Sequence, residues 1–113
     1  MILASDLRIG NWVYFSNEYD LVSGVFENSV VIKYRSYSPV LINSIKEIEF
    51  TNEWLDRFGF EKRDNSNWWH KGNFTYWQDQ NTWYWRMEPI HPDLTMYVHQ
   101  IQNLYHALTG EEL

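Results

Sequence analysis

The chain contains no cysteine, so it can form neither a disulfide nor a thiolate zinc site. Its 113 residues include no low-complexity tract, internal repeat or linker. No apolar run approaches the roughly 18 residues that a membrane-spanning helix needs. Residues 1–10 also lack the apolar core of a signal peptide. These absences predict one soluble cytoplasmic domain, residues 1–113, with no membrane contact.

Positive charge is missing from one end of the chain. The net charge is -6, and residues 87–113 carry four acidic residues without a single Lys or Arg. Tight phosphate binding depends on clustered Lys and Arg, so a general affinity for DNA or RNA is disfavoured. An acidic segment instead favours attraction to a basic protein surface, including one that normally holds nucleic acid.

The motifs of common catalytic sites are absent as well. The sequence has no HExxH, Walker loop, GxSxG elbow or dinucleotide fingerprint. Glu47 and Glu49 are typical of a solvated edge strand, since no acid on another element accompanies them. The four histidines are predicted surface residues, because His99 and His106 are seven apart and a helical chelate needs three or four. We expect no enzyme, no metal and no cofactor.

The first half of the chain alternates short apolar runs with polar turns. Runs at 12–15, 19–26 and 30–34 predict a three-stranded antiparallel meander that resembles part of an SH3-like barrel. We predict a loop over residues 36–43, which contain Pro39, and an edge strand over 45–50.

A short helix is predicted at about 52–58. The Thr51 hydroxyl is expected to cap its first amides. Gly59 is expected to end it in the left-handed conformation, with Phe60 folding back as the hydrophobic contact.

Eight aromatic residues lie between Trp68 and Trp85. They predict a second meander, with strands at 68–71, 74–78 and 82–87. A Gly72-Asn73 turn sets Trp69 opposite Tyr76. If Gln80-Asn81 is also a two-residue turn, Tyr76 pairs with Trp85 and Trp77 with Tyr84. One face then carries Trp69, Phe74, Tyr76, Trp83 and Trp85, which we assign to the core.

The opposite face is predicted to be exposed, and it carries Trp68, His70, Thr75, Trp77, Tyr84 and Arg86. Large rings on both faces of one small sheet exceed what a small core can bury, so some should contact a partner. Trp68, Trp77 and Tyr84 are the predicted anchors, with His70 and Arg86 supplying polar contacts. The alternative interpretation is an unusually Trp-rich core.

The last element is a predicted helix from Asp93 to Leu108, ended by Gly110. Its apolar stripe consists of Leu94, Tyr97, Val98, Ile101, Leu104, Tyr105 and Leu108. Its polar side is amide-rich, with His99, Gln100, Gln102, Asn103 and His106, and either docks on protein or has no special role. The whole chain is predicted to be α+β, a bent antiparallel sheet of two meanders covered by this helix.

Three stretches carry a family resemblance: residues 6–11 (DLRIGN), 51–60 (TNEWLDRFGF) and 98–113 (VHQIQNLYHALTGEEL). Together they resemble a family of short uncharacterised bacterial and prophage proteins with a Leu-Arg-Ile-Gly-Asn motif and an Asn-Leu-Tyr, Leu-Thr, Glu-Glu-Leu tail. The aromatic meander of residues 68–87 departs from that pattern, and His106 stands where an aromatic ring is expected.

The resemblance implies a phage or mobile-element setting, where small acidic non-enzymatic proteins often inhibit host defence complexes, anti-CRISPR proteins among them. The shared tail would then be scaffold, and the divergent aromatic segment would carry the specific function. The leading hypothesis is a protein-binding inhibitor that sits on the basic surface of a nucleic-acid-guided nuclease. The alternative is a domain that stacks single-stranded RNA or sugar on exposed rings.

Overall fold

The protein is α+β, with two five-stranded antiparallel sheets, a C-terminal helix and one short helix. A computed structural model describes residues 2–34 and 38–113. The predicted fold class is confirmed. The two predicted meanders lie in separate sheets.

The first sheet is curled into a half-barrel and has the strand order β4-β3-β2-β1-β5. Its strands are β1 (Trp12–Phe15), β2 (Glu18–Val25), β3 (Ser29–Ile32), β4 (Val40–Leu41) and β5 (Ile45–Lys46). A register shift between Val22 and Gly24 interrupts the pairing of β2 with β3, and such bulges bend a strand and increase its twist.

The predicted first meander and the edge position of β5 are confirmed, although β5 is only two residues long. The predicted loop at 36–43 lies partly outside the described residues. For the residues described, the prediction of a loop is wrong, because they form β4 and most of a 3₁₀ turn at Ile42–Ser44.

Helix α1 (Asn52–Arg57) ends as the sequence predicts. Gly59 has φ +81°, the Phe60 amide donates to the Leu55 carbonyl oxygen at 3.0 Å, and Phe60 is buried. The predicted start is half right: Thr51 is the N-cap residue, but its side chain makes no capping hydrogen bond.

The second sheet has the order β10-β9-β8-β7-β6. Its strands are β6 (Glu61–Lys62), β7 (Trp68–Lys71), β8 (Phe74–Trp77), β9 (Thr82–Trp85) and β10 (Glu88–Pro89). The β7–β8 register is as predicted, with Trp69 opposite Tyr76. The short edge strands β6 and β10 were not expected, since a two-residue strand has no sequence periodicity.

The predicted β8–β9 register is wrong by two residues. Tyr76 faces Trp83 and Trp77 faces Thr82, because the connection is a longer turn containing the 3₁₀ segment Gln78–Gln80 and closed by Asn81 at φ +49°. A shift of two residues preserves the face of every side chain. Four residues of the predicted core face are therefore confirmed as buried, namely Trp69, Phe74, Tyr76 and Trp83, while the fifth, Trp85, is half-buried and packs against them.

Helix α2 (Val98–Thr109) begins five residues later than predicted. Pro92–Leu94 forms a separate 3₁₀ turn, and Tyr97 is extended and pairs with Glu49 in an isolated β-bridge. Leu94 and Leu108, the two ends of the predicted stripe, are exposed. Gly110 ends the helix at φ +75°, as expected.

The buried residues form two clusters. The larger lies between the second sheet and both helices and contains Ile48, Trp54, Leu55, Phe58, Phe60, Trp69, Phe74, Tyr76, Trp83, Val98, Ile101 and Tyr105. The smaller lies within the first sheet and contains Ile2, Leu7, Val13, Val22, Val30, Ile32 and Ile45.

The polar side of α2 docks on the N-terminal segment of its own chain. Gln102 accepts from the Trp12 amide at 2.8 Å and donates to the Gly10 carbonyl oxygen at 3.0 Å. Asn103 accepts from the side chains of Arg8 and Asn11. The proposed docking of this amide-rich strip is thus intramolecular for these two side chains, and it joins two of the stretches that carry the family resemblance.

Candidate functional site: the outer face of the second sheet

The face of the second sheet that points away from the larger core cluster carries a row of aromatic and polar side chains. We call it the outer aromatic face and define it by Trp68 and His70 on β7, Thr75 and Trp77 on β8, and Tyr84 on β9. Strand pairing places His70, Thr75 and Tyr84 in one row and sets Trp68 directly opposite Trp77. All are partly exposed except Thr75, which is buried.

The three predicted anchor rings form one cluster. The Trp68 and Trp77 rings are stacked, with centroids 5.2 Å apart and an interplanar angle of 4°. The Tyr84 ring lies 5.5 Å from that of Trp68 at 43°. Packing of this kind contributes about 0.5–1.5 kcal/mol per pair beyond area burial. The cluster therefore holds its own shape while it keeps part of its apolar surface in water.

A small pocket opens beside this cluster. Its volume is about 90 Å³, and Arg63, Trp68, Trp69, Thr75 and Met87 line it. The Thr75 hydroxyl is buried there without a hydrogen-bond partner, and an unpaired buried hydroxyl costs roughly 1–3 kcal/mol. The sequence placed Thr75 on this face, but nothing in it pointed to Arg63 or Met87 as neighbours of Trp68.

Arg86 lies elsewhere than predicted. Strand β9 ends at Trp85, so Arg86 does not continue the alternation of faces. Its guanidinium carbon lies 5.2 Å from the centre of the Trp85 ring, which belongs to the core face. The cause is a two-residue turn, Arg86-Met87, that joins β9 to β10.

That turn is conformationally strained. Arg86 has φ +50° and Met87 has φ +71°, the left-handed region that favours glycine or asparagine. Non-glycine residues held there cost of order 1–3 kcal/mol each. The turn presents the Met87 side chain, which is 75% exposed, at the rim of the small pocket.

The prediction that all four histidines lie at the surface is wrong for one of them. His99 is buried at the start of α2, and its Nδ1 atom has no hydrogen-bond partner. Burial lowers the pKa of the His99 imidazole, an effect that the negative charges of Asp6 and Glu47 oppose.

Among residues 2–34 and 38–113, no three His, Asp or Glu side chains converge in a way that could hold a metal ion. Neither α1 nor α2, nor any shorter helical turn in the described part of the chain, has the length and apolar composition to cross a membrane. Comparison with protein-family models, with curated proteins and with solved structures found no match. The geometry of the site is the basis for a functional proposal.

Proposed function

We propose that the protein is a non-enzymatic protein-binding module that contacts its partner through the outer aromatic face. The observation that carries this proposal is the cluster of Trp68, Trp77 and Tyr84, three rings that remain partly exposed on one sheet face. Exposed clusters of amphipathic rings are typical of interface cores, where a few Trp and Tyr side chains supply most of the binding energy.

The surroundings of the cluster favour a protein over a small ligand. The neighbouring pocket of about 90 Å³ is far smaller than the 300–1,000 Å³ of ordinary ligand sites, but it suits one aliphatic side chain of a partner. Met87 on its rim is flexible and polarisable, as interface methionines often are.

Charge supports a partner with a basic surface. The net charge is -6. In the acidic segment of residues 87–113, Glu88, Asp93 and Glu111 are exposed, while Glu112 is paired with Arg8 at 2.6 Å. That pairing lowers the pKa of the Glu112 carboxyl, so Glu112 stays ionised, and the positive charge of Arg8 offsets its negative charge. Three carboxylates of the four thus remain to steer association.

With the family resemblance, these features lead to the most concrete form of the proposal. The protein is a phage- or prophage-encoded inhibitor, of the anti-CRISPR type, that acts in the bacterial cytoplasm on a nucleic-acid-guided nuclease. It covers a basic surface that otherwise holds nucleic acid.

The test is affinity capture from host lysate, with and without nuclease treatment, using wild-type protein and Trp77→Ala. We expect a defence nuclease or effector complex to be retained after nuclease treatment and lost with Trp77→Ala. The variant should lose only about 1–2 kcal/mol of stability, since one partly exposed stacked pair is removed.

Tyr34→Ala is the matched control, because Tyr34 is 73% exposed and follows β3 of the other sheet. It should retain the partner in full. Equal capture by wild type and Trp77→Ala would contradict the proposal. A loss of roughly 3–5 kcal/mol in Trp77→Ala would instead make Trp77 a core residue.

The alternative, stacking of single-stranded RNA or sugar, draws on Arg63, the cation that lines the pocket beside Trp68. Titration with oligonucleotide or oligosaccharide separates it from the leading proposal. Quenching of tryptophan fluorescence at physiological salt, weakened in Trp77→Ala, would support the alternative.

A further inference from the structure

A second recess lies on the core side of the second sheet, away from the outer aromatic face. It is a cleft of about 390 Å³ between the β8–β9 turn and the segment that leads into α2. Four aromatic residues line it, namely Phe50, Tyr76, Trp83 and Tyr97. The β-bridge between Glu49 and Tyr97 holds two sides of the cleft together.

Phe50 packs at a steep angle against Tyr76 and Trp83, which meet each other at 38°. Phe50 lies edge-on to Trp83 at 75° and to Tyr76 at 68°, with centroids 5.2 Å and 5.8 Å apart. The Tyr76 hydroxyl donates to the Asn81 side-chain oxygen at 2.7 Å, which fixes that ring. Burial raises the pKa of the Tyr76 phenol, so this wall stays neutral. Phe50 and Tyr97 keep partial exposure and present apolar surface to the opening.

The charge of the cleft has one sign. Glu49 lines it, is exposed, and makes no ion pair with any residue described by the structure; no Lys or Arg lines the cleft. Asp93, also exposed, is the chain neighbour of the lining residue Pro92. Aromatic rings beside an uncompensated carboxylate attract a cation, through the negative ring faces and through direct charge.

We infer that this cleft binds an arginine side chain of the protein partner. Arginine fits better than lysine, because its planar guanidinium stacks on rings and offers paired donors to a carboxylate. A volume near the lower limit for ligand sites suits one long side chain and its backbone. The inference rests on the proposed function only for the source of the arginine, since the basic surface already proposed would supply it.

The test uses the full chain and a small probe, N-acetyl-arginine amide, so that no partner is needed. We expect the Trp83 indole N–H and the Phe50 and Tyr97 ring signals to shift in NMR titrations, while the Trp68 and Trp77 indole signals stay in place. The neutral isostere N-acetyl-citrulline amide should bind at least severalfold more weakly. N-acetyl-lysine amide should also bind more weakly than the arginine probe.

Glu49→Gln keeps the shape of the side chain and removes its charge. It should weaken the arginine probe about two- to fivefold, the range expected for an exposed ion pair, and leave citrulline binding unchanged. Glu53→Gln is the matched control, since Glu53 is an exposed acid on α1 that does not line the cleft; it should behave as wild type. The spectra also report whether each variant is folded.

Three results would overturn the inference: equal binding of arginine and citrulline probes, tighter binding of lysine than of arginine, or shifts at Trp68 and Trp77 in place of Trp83. Failure of the proposed function appears separately: wild type and Trp77→Ala then capture the same proteins, or wild type captures none, while the arginine probe still binds.

Discussion

At the scale of single residues, His99 shows how burial gives an ordinary side chain a pH-dependent role. It is only 4% exposed, its ring lies 6.0 Å from that of Tyr97 at 10°, and its Nδ1 atom is unpaired. Because its pKa is lowered, His99 binds a proton less readily in the folded protein than in the unfolded chain, where the imidazole is protonated near pH 6.5. The negative charges of Asp6 and Glu47 make the lowering of the His99 pKa smaller but do not cancel it.

The free energy of unfolding should therefore fall as the pH drops below 6.5 toward the folded pKa of His99, because in that window the unfolded chain binds more protons. We expect urea unfolding between about pH 7.5 and 5.5 to show this decline in wild type and a flatter profile in His99→Gln. An unchanged slope in His99→Gln would mean that another group causes the decline.

At the scale of elements, the interface between α2 and the N-terminal segment depends on one buried amide. Gln102 is 1% exposed, and its side chain satisfies the Trp12 amide and the Gly10 carbonyl oxygen. Asn103 adds a bond to the Asp6 carbonyl oxygen at 2.8 Å. The helix thus replaces the strand partner that the backbone on either side of Asn11 would otherwise need.

Gln102→Leu should destabilise the protein by about 2–4 kcal/mol, because it leaves two buried backbone groups unpaired. The measurement is thermal or urea unfolding. Gln80→Leu, on the exposed β8–β9 turn, is the matched control and should change stability by less than about 0.5 kcal/mol. A cost near zero for Gln102→Leu would mean that water reaches these backbone groups.

The same elements show where sequence reasoning succeeds. The Gly72-Asn73 turn predicts the β7–β8 register, because a two-residue turn leaves one pairing. Gln80-Asn81 misleads because Asn81 takes the left-handed position of a longer turn. The start of α2 is missed because Leu94 and Tyr97 continue the helical spacing, while the bridge to Glu49 holds Tyr97 extended.

The candidate sites divide in the same way. The Gly72-Asn73 turn fixes the β7–β8 register, and period-two alternation then places Trp68, Thr75 and Trp77 on one face. Arg86 is misplaced because β9 ends at Trp85, two residues before the predicted end of the strand. The cleft beside Glu49 has no sequence signal, since it combines residues from three distant segments of the chain.

At the scale of the whole molecule, the body is elongated, 46 × 23 × 23 Å, with the two core clusters as its apolar centres. All seven tryptophans lie in the larger cluster, pack against it or stand on the outer aromatic face, and none belongs to the smaller cluster. The tryptophans therefore report directly on only one of the two clusters. That asymmetry allows the single-domain prediction to be tested.

Val30 is fully buried in the smaller cluster, so Val30→Ala should cost about 2 kcal/mol of stability through lost contacts and a small cavity. If residues 1–113 unfold as one unit, the tryptophan fluorescence midpoint in urea must fall as far as the far-UV circular dichroism midpoint, although no tryptophan belongs to the mutated cluster. Leu41→Ala, at a side chain 62% exposed on β4, should leave both midpoints close to wild type. A biphasic circular dichroism curve, with fluorescence unchanged by Val30→Ala, would mean that the two clusters unfold independently.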